Sequence, residues 1–186
     1  MKVVILAGGF GTRIIEESQY IPKPMIEIGG KPILWHIMQR YIRYGFNEFI
    51  IALGYKSQVI KQYFINYHLM KSDLNIELST GKIEISGKTG PNISVNLVET
   101  GVNTKTGGRL KRLTKFLSDQ TFFMTYGDGV SNININELLQ HHKKKDRMIT
   151  MSVVRPPARF GVLETYNDNI ITSFQEKPQL SEGWIN

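Results

Sequence analysis

The order of apolar and polar positions along the chain predicts an alternation of strands and helices. Residues 2–7 form a short run of β-branched and aliphatic side chains that ends in glycine, the pattern of a buried parallel strand. Leu34, Ile37, Met38, Tyr41 and Ile42 then recur at helical spacing within 32–45, and Gly45 stands where a helix C-terminal glycine belongs. A second buried strand is predicted at 48–53, followed by a helix over 58–67 with Val59, Ile60, Tyr63 and Phe64 on one face. The texture changes after residue 70. Three short alternating segments, 75–79, 82–86 and 93–98, are punctuated by Gly81, Gly87, Gly90 and Pro91, and Thr80-Gly81 reads as a hairpin turn. These are expected to form a small β-rich insertion around 70–100. The alternation resumes with a helix at 109–117, a strand at 121–126, a helix at 135–144 and a strand at 148–154. Two last strands, 162–166 and 170–175, flank Asn167-Asp168-Asn169 as a hairpin. The expected fold class is α/β, a Rossmann-like three-layer arrangement around a mostly parallel sheet, with 1–186 forming a single domain.

Composition narrows this picture. With 186 residues the chain is long enough for a real core, and 41% hydrophobic with 21% charged residues is ordinary for a globular protein. The absence of cysteine excludes a disulfide scaffold, a cysteine nucleophile and a thiolate metal site. The apolar run after Met1 is too short for a signal peptide or a membrane span, so no membrane association and a cytoplasmic location are expected. Twenty-three Lys+Arg against 16 Asp+Glu give a formal charge of +7, which suits an anionic partner. The one basic run, Lys143-Lys144-Lys145 after His141-His142, reads as a solvated helix end complementing the helix dipole. No nucleic-acid motif accompanies it, and no nucleic-acid partner is expected.

Four segments carry candidate chemistry. Leu6-Ala7-Gly8-Gly9-Phe10-Gly11-Thr12-Arg13 leaves the first strand as a glycine-rich turn, whose backbone can approach phosphate oxygens closely; Arg13 adds a guanidinium that matches phosphate geometry. It matches neither the dinucleotide fingerprint, because Ile14 replaces the third glycine, nor the P-loop, and a plain tight turn remains the alternative. In Pro22-Lys23-Pro24 the prolines stiffen the backbone around one lysine, although most loop lysines are simply solvated. Thr125-Tyr126-Gly127-Asp128-Gly129 follows a hydrophobic strand, where open α/β sheets bind ligands, and Asp128 is a natural hard ligand for Mg²⁺. An Asp-Gly hairpin turn is the alternative there. Thr106-Gly107-Gly108-Arg109 runs into a predicted helix whose N-terminal end favours an anion or a base carbonyl, with a plain flexible helix entry as the alternative.

Taken in order, Leu-Ala-Gly-Gly-Phe-Gly-Thr-Arg at 6–13, Pro-Lys-Pro-Met at 22–25, Gly-Gly-Lys-Pro-Ile at 29–33, Gly-Asp-Gly at 127–129 and Glu-Lys-Pro at 176–178 resemble the sugar-phosphate nucleotidyltransferases. Trp35-His36-Ile37-Met38, the insert after Tyr67, Thr106 to Arg112 and Phe174 to Pro178 resemble, more narrowly, the branch that joins CTP to glucose 1-phosphate. That resemblance implies a nucleotide-diphospho-sugar transferase fold and formation of CDP-glucose and pyrophosphate by in-line displacement, with Mg²⁺ as cofactor. It further implies that Leu6, Ala7, Gly8, Gly9, Phe10, Gly11, Thr12, Arg13, Lys23, Thr104, Arg109 and Gly127 hold the nucleotide. Arg13, Lys23 and Asp128 would be the catalytic set, Asp128 the metal ligand, and Glu176 and Lys177 the sugar-phosphate contacts. Members of the family continue past the equivalent of Asn186 with a further strand and a second metal-binding aspartate, so this chain is expected to lack that C-terminal part; the family also implies a homo-oligomer. A non-catalytic nucleotide-binding module, or the same reaction with dTTP, UTP or another sugar phosphate, stands as the alternative.

Overall fold

The computed structural model describes residues 1–10, 21–87, 91–117, 120–156, 162–166, 170–176 and 184–185. They fall into two compact units, 1–132 and 133–186.

The first unit is built on four parallel strands: β1 (Lys2–Leu6), β4 (Glu48–Leu53), β7 (Ser94–Glu99) and β8 (Phe123–Tyr126), in spatial order β7-β4-β1-β8. β2 (Glu27–Ile28) and β3 (Lys31–Pro32) form a small ribbon turned by Gly29 and Gly30, both at positive φ. β5 (Asp73–Glu77) and β6 (Lys82–Ser86) form an antiparallel hairpin. Successive crossovers carry the chain outward from β1 to β4 to β7, through α1 (Ile33–Ile42) and then α2 (Ser57–Asn66). Because parallel crossovers are right-handed, two steps in the same direction place both helices on one face. The next step reverses direction to reach β8, through α3 (Thr106–Arg112) and α4 (Thr114–Leu117), and so lies on the opposite face.

Side-chain contacts agree with that layering. Alternation along β1 sends Val4 and Leu6 to one face, where they meet Ile50, Ala52, Leu113 and Leu117. Val3 points the other way and pairs in register with Phe123, whose ring lies 5.6 Å from that of Tyr41 on α1. Covered on both faces, β1 and β4 contain the nearly continuous apolar run expected of interior parallel strands, with Val3, Val4, Ile5, Phe49, Ile51 and Leu53 fully buried. Burial on both faces is why an unalternating pattern here means strand.

Three expectations are corrected. The segment predicted at 93–98 is β7, which pairs in parallel with β4 inside the main sheet, so the insertion reduces to the β5–β6 hairpin. Parallel pairing with a strand some 45 positions earlier leaves no mark on local alternation. The helix predicted at 109–117 starts earlier, at Thr106, and breaks at Leu113 into α3 and α4. Leu113 is fully buried against β1 and β4, and both short helices point their apolar residues there.

In the second unit, α5 (Ile135–Lys145) is capped by Asn134, whose side-chain oxygen accepts from the Asn136 and Glu137 amides while its amide donates to the Glu137 carboxylate. His142 lies 2.9 Å from the Thr150 hydroxyl, and the lysines that follow occupy the last turn, as the dipole favours. β9 (Val162–Tyr166) and β10 (Ile170–Gln175) form the expected antiparallel hairpin, with a register irregularity between Ile171 and Ser173. The third correction falls here. Residues 148–154 form no strand, only an isolated antiparallel bridge between Val154 and Ile185. Met148, Ile149 and Met151 are exposed, no strand among the described residues pairs with them, and β-propensity without such packing does not make a strand.

Candidate functional site

The reversal of crossover direction makes the carboxyl ends of β1 and β8 the switch point of the sheet, where open α/β folds leave a crevice for ligands. A cavity of about 360 Å³ opens there. Its floor is Leu6 to Gly9, leaving β1; one wall is Lys23 and Pro24, a second Tyr126 at the end of β8 with Asp128 beyond it, and a third Thr104 to Thr106 with Arg109.

The turn after β1 is held by its own backbone groups. Gly127 N–H donates to Leu6 O at 3.0 Å, Ala7 N–H to Ala52 O at 3.0 Å, and Tyr55 N–H to Gly8 O at 3.2 Å. The Gly8 carbonyl also accepts from Arg109 Nη2 at 2.8 Å. In a trans peptide the N–H points opposite to the carbonyl, so pinning Gly8 O toward Arg109 aims the Gly9 N–H away from it. An amide aimed out of a glycine turn is what a phosphate oxygen needs. Gly127 must itself be small: a Cβ there would lie 3.0 Å from Pro24 and 3.1 Å from Leu6 O.

Arg109 is 5% exposed, and both terminal nitrogens of its guanidinium are hydrogen-bonded. Nη1 donates to Leu53 O (3.0 Å), Thr100 Oγ1 (2.6 Å) and Gly101 O (2.9 Å); Nη2 donates to Gly8 O and Val102 O. One planar fork thus ties together the ends of β1, β4 and β7. The fork leaves no room beside it. A Cβ on Gly8 would collide with it, and one on Gly54 would approach Nη1 and Gly8 O to 2.7 Å each. Thr100, fully buried, donates its hydroxyl to Leu53 O at 2.6 Å while accepting from Arg109. Burial, with the Arg112 charge nearby, lowers the Arg109 pKa from its ordinary value. Arg112 in turn donates to Thr104 Oγ1 at 2.6 Å and to Thr100 O.

Lys23 Nζ faces Asp128 Oδ2 at 4.0 Å across the mouth of the cavity, the lysine side chain 16% exposed and the aspartate 49%. Pro22 and Pro24 are buried, and the single 3₁₀ turn Lys23–Met25 holds the lysine between them. Among the described residues lining the cavity, Asp128 is the one carboxylate, and no cluster of three or more metal-ligating side chains occurs among the described residues.

Of the residues named from the sequence, the cavity brings together Leu6, Ala7, Gly8, Gly9, Lys23, Thr104, Arg109 and Asp128, while Gly127 packs just behind it. Phe10 is not among its lining residues; its half-exposed ring stacks at a tilt on Tyr55, 5.3 Å between centroids. Gly11, Thr12, Arg13 and Lys177 lie outside the described residues. Glu176 is exposed, directly after β10 in the second unit. Tyr126 belongs to the segment named around Asp128, whereas Lys105, Gly54 and Thr100 are not singled out from the sequence. Gly54, a glycine directly after a buried strand like Gly8, was the one legible signal.

Fold and cavity together define the class: an α/β protein with the nucleotide-diphospho-sugar transferase architecture. HddC from Yersinia pseudotuberculosis superposes with a TM-score of 0.63 at 27% identity, covering 100% of this chain and 73% of that one. A UDP-glucose pyrophosphorylase crystallised with UDP-glucose shares the fold at a TM-score of 0.60 and 16% identity, over 96% of this chain and 69% of that one. The nucleotidyl transferase family model matches residues 2–185, and the chain belongs to that family and is a nucleotidyltransferase. It is 46% identical to the glucose-1-phosphate cytidylyltransferase of Salmonella typhi, over all of this chain and 72% of that protein. It is 44% identical to a probable glucose-1-phosphate cytidylyltransferase of Bacillus subtilis, with the same shares covered. No helix among the described residues is long and apolar enough to cross a membrane.

Proposed function

We propose that this nucleotidyltransferase joins CTP to α-D-glucose 1-phosphate, giving CDP-glucose and pyrophosphate. The observation that carries the reading is the meeting of Lys23, Asp128 and the Gly8–Gly9 turn around one cavity at the β1/β8 switch point. The identities of 46% and 44% to glucose-1-phosphate cytidylyltransferases support CTP and glucose 1-phosphate as the pair.

In the reaction an oxygen of the sugar phosphate attacks the α-phosphorus of the nucleotide. The P–O bond to the β-phosphate breaks in line, and pyrophosphate leaves with the electron pair. Such a transfer needs positioning and charge neutralisation rather than a covalent nucleophile. The amide aimed outward from Gly9 takes a phosphate oxygen, and Lys23, stiffened by its prolines, neutralises charge that grows as the bond to the leaving group breaks. Arg13 acts on the leaving pyrophosphate, while Thr104 and Arg109 border the nucleotide. Glu176 and Lys177 hold the sugar and its phosphate. A half-exposed carboxylate beside a phosphate-binding turn suits Mg²⁺, which takes one or two carboxylates and completes its shell with water and phosphate oxygens. Asp128 would hold it, and the ion supplies further neutralisation of the nucleotide phosphates when bound.

Pyrophosphate release from glucose 1-phosphate with CTP, dTTP, UTP and ATP in turn tests the reading. Release with CTP at least tenfold faster than with the others is expected. Faster release with another triphosphate would overturn the base, and nucleotide binding without release would overturn the catalytic reading of this chain.

A further inference from the structure

Leaving tyrosine aside, Thr100 and Arg109 are the buried polar and charged side chains among the described residues, and they bond to each other at 2.6 Å. Thr100 follows β7 directly, is fully buried, and does not line the switch-point cavity. Any effect it has on a ligand therefore passes through another residue.

The direction of the contact is fixed by its chemistry. A guanidinium only donates, so the Thr100 oxygen accepts from Arg109 Nη1 and its hydrogen goes to Leu53 O, 2.6 Å away. The Thr100 N–H donates to the same carbonyl at 3.0 Å, so backbone and side chain together clamp residue 100 onto the end of β4. The Thr100 bond is the shortest that Arg109 makes, and with Nη1 held there Nη2 is directed at Gly8 O, 2.8 Å away. A Cβ on Gly54 would stand 2.7 Å from both Nη1 and Gly8 O, which shows how tightly fork and carbonyl are enclosed. The carbonyl of Thr100 serves the third wall instead: Arg112 donates to it and, at 2.6 Å, to Thr104 Oγ1. A side-chain substitution at position 100 leaves that second arm in place.

We propose that Thr100 is a positioning residue for the nucleotide. Its hydroxyl sets the pose of the Arg109 fork, and the fork sets the direction in which the Gly9 N–H meets a phosphate oxygen. The inference rests on the phosphate reading of the Gly8–Gly9 turn and is indifferent to the base. An amide already aimed binds without reordering, whereas a loosened fork lets the peptide turn and must be reordered by the ligand.

Isothermal titration with CTP, dTTP, UTP and ATP is run on the parent, Thr100→Val, Thr100→Ser and Thr100→Cys, each shown to be folded by near-ultraviolet circular dichroism. Valine keeps the shape of threonine without the hydroxyl. Kd for the triphosphate that the parent binds best should rise about tenfold in Thr100→Val, the loss of one hydrogen bond to a charged group. Serine keeps the hydroxyl, and Kd in Thr100→Ser should stay within about twofold of the parent. Its missing methyl leaves a small void, so its melting temperature should fall all the same. Affinity and stability then move apart, which a merely structural role would not produce. Cysteine is a weak donor and acceptor of similar volume; Thr100→Cys should fall between the two and decides the matter if the valine variant does not fold. Equal Kd in Thr100→Val and the parent, or Thr100→Ser weakened as much as Thr100→Val, overturns the role of the hydroxyl and leaves the nucleotide site standing. A parent that binds none of the four triphosphates overturns the phosphate reading of the turn, and this inference with it.

Discussion

The Arg109 guanidinium and the Gly8 carbonyl, 101 positions apart in sequence, are joined by a 2.8 Å hydrogen bond. The bond links α3 to the turn after β1 and fixes which way the peptide between Gly8 and Gly9 faces. Arg109 is a buried cation whose hydrogen-bonding partners are four carbonyls and a hydroxyl rather than a carboxylate, so its stability rests on that set of dipoles.

Arg109→Lys keeps the charge and loses the fork, and it should destabilise the chain by about 2–4 kcal/mol, as expected when several charge-assisted hydrogen bonds are lost together. Gly8→Ala, which drives a methyl into the same guanidinium, should weaken nucleotide binding by about tenfold or more. Urea denaturation reads the first effect and isothermal titration with CTP the second. Wild-type stability in Arg109→Lys would show that the fork is dispensable.

Lys23 and Asp128 are separable from stability. Their pairing at 4.0 Å is partly exposed, and such pairs contribute about 0–1 kcal/mol, so Lys23→Ala should melt within a few degrees of the parent. Turnover should fall by about a hundredfold or more, the scale of losing one group that neutralises transition-state charge. Unchanged kcat/KM in Lys23→Ala would remove the lysine from the chemistry.

Leu113 sits where α3 gives way to α4, fully buried under β1 and β4. Leu113→Ala should cost about 2–5 kcal/mol through lost burial and the cavity left behind. Chemical denaturation of the variant and the parent measures it, and a loss below about 1 kcal/mol would mean that the two short helices close over the gap.

Acid should weaken one surface tie. The Glu99 carboxyl is held below its ordinary value, first by the hydrogen bond from Lys61 at 2.5 Å, against some burial, and then by Ser57. A depressed folded-state pKa stabilises the fold above the unfolded-state value and loses that contribution as pH falls through the folded-state value. Both side chains are well exposed, which limits the effect to below about 1 kcal/mol. Unfolding free energies from pH 6 to pH 3 should therefore fall slightly more steeply in the parent than in Glu99→Gln, and the difference should shrink in high salt.

Much of the scaffold was legible in the sequence because it depends on local chemistry. The β-branched run at 2–6, the i, i+3, i+4 spacing in α1, Gly45 at positive φ after it and the Thr80-Gly81 turn are each decided within one turn or one strand. The order of the glycine turn, the proline-flanked lysine and Gly-Asp-Gly also carried the family, since those residue types stand in the chain regardless of how it folds. Tertiary structure alone decided the rest. It placed β7 in parallel beside β4, gave 148–154 no strand partner among the described residues, and broke the helix at Leu113 where two faces of packing meet. It also buried Arg109 among the ends of three strands. These outcomes depend on which residues distant in sequence become neighbours, and strand order and crossover direction determine that, not the periodicity of any one segment.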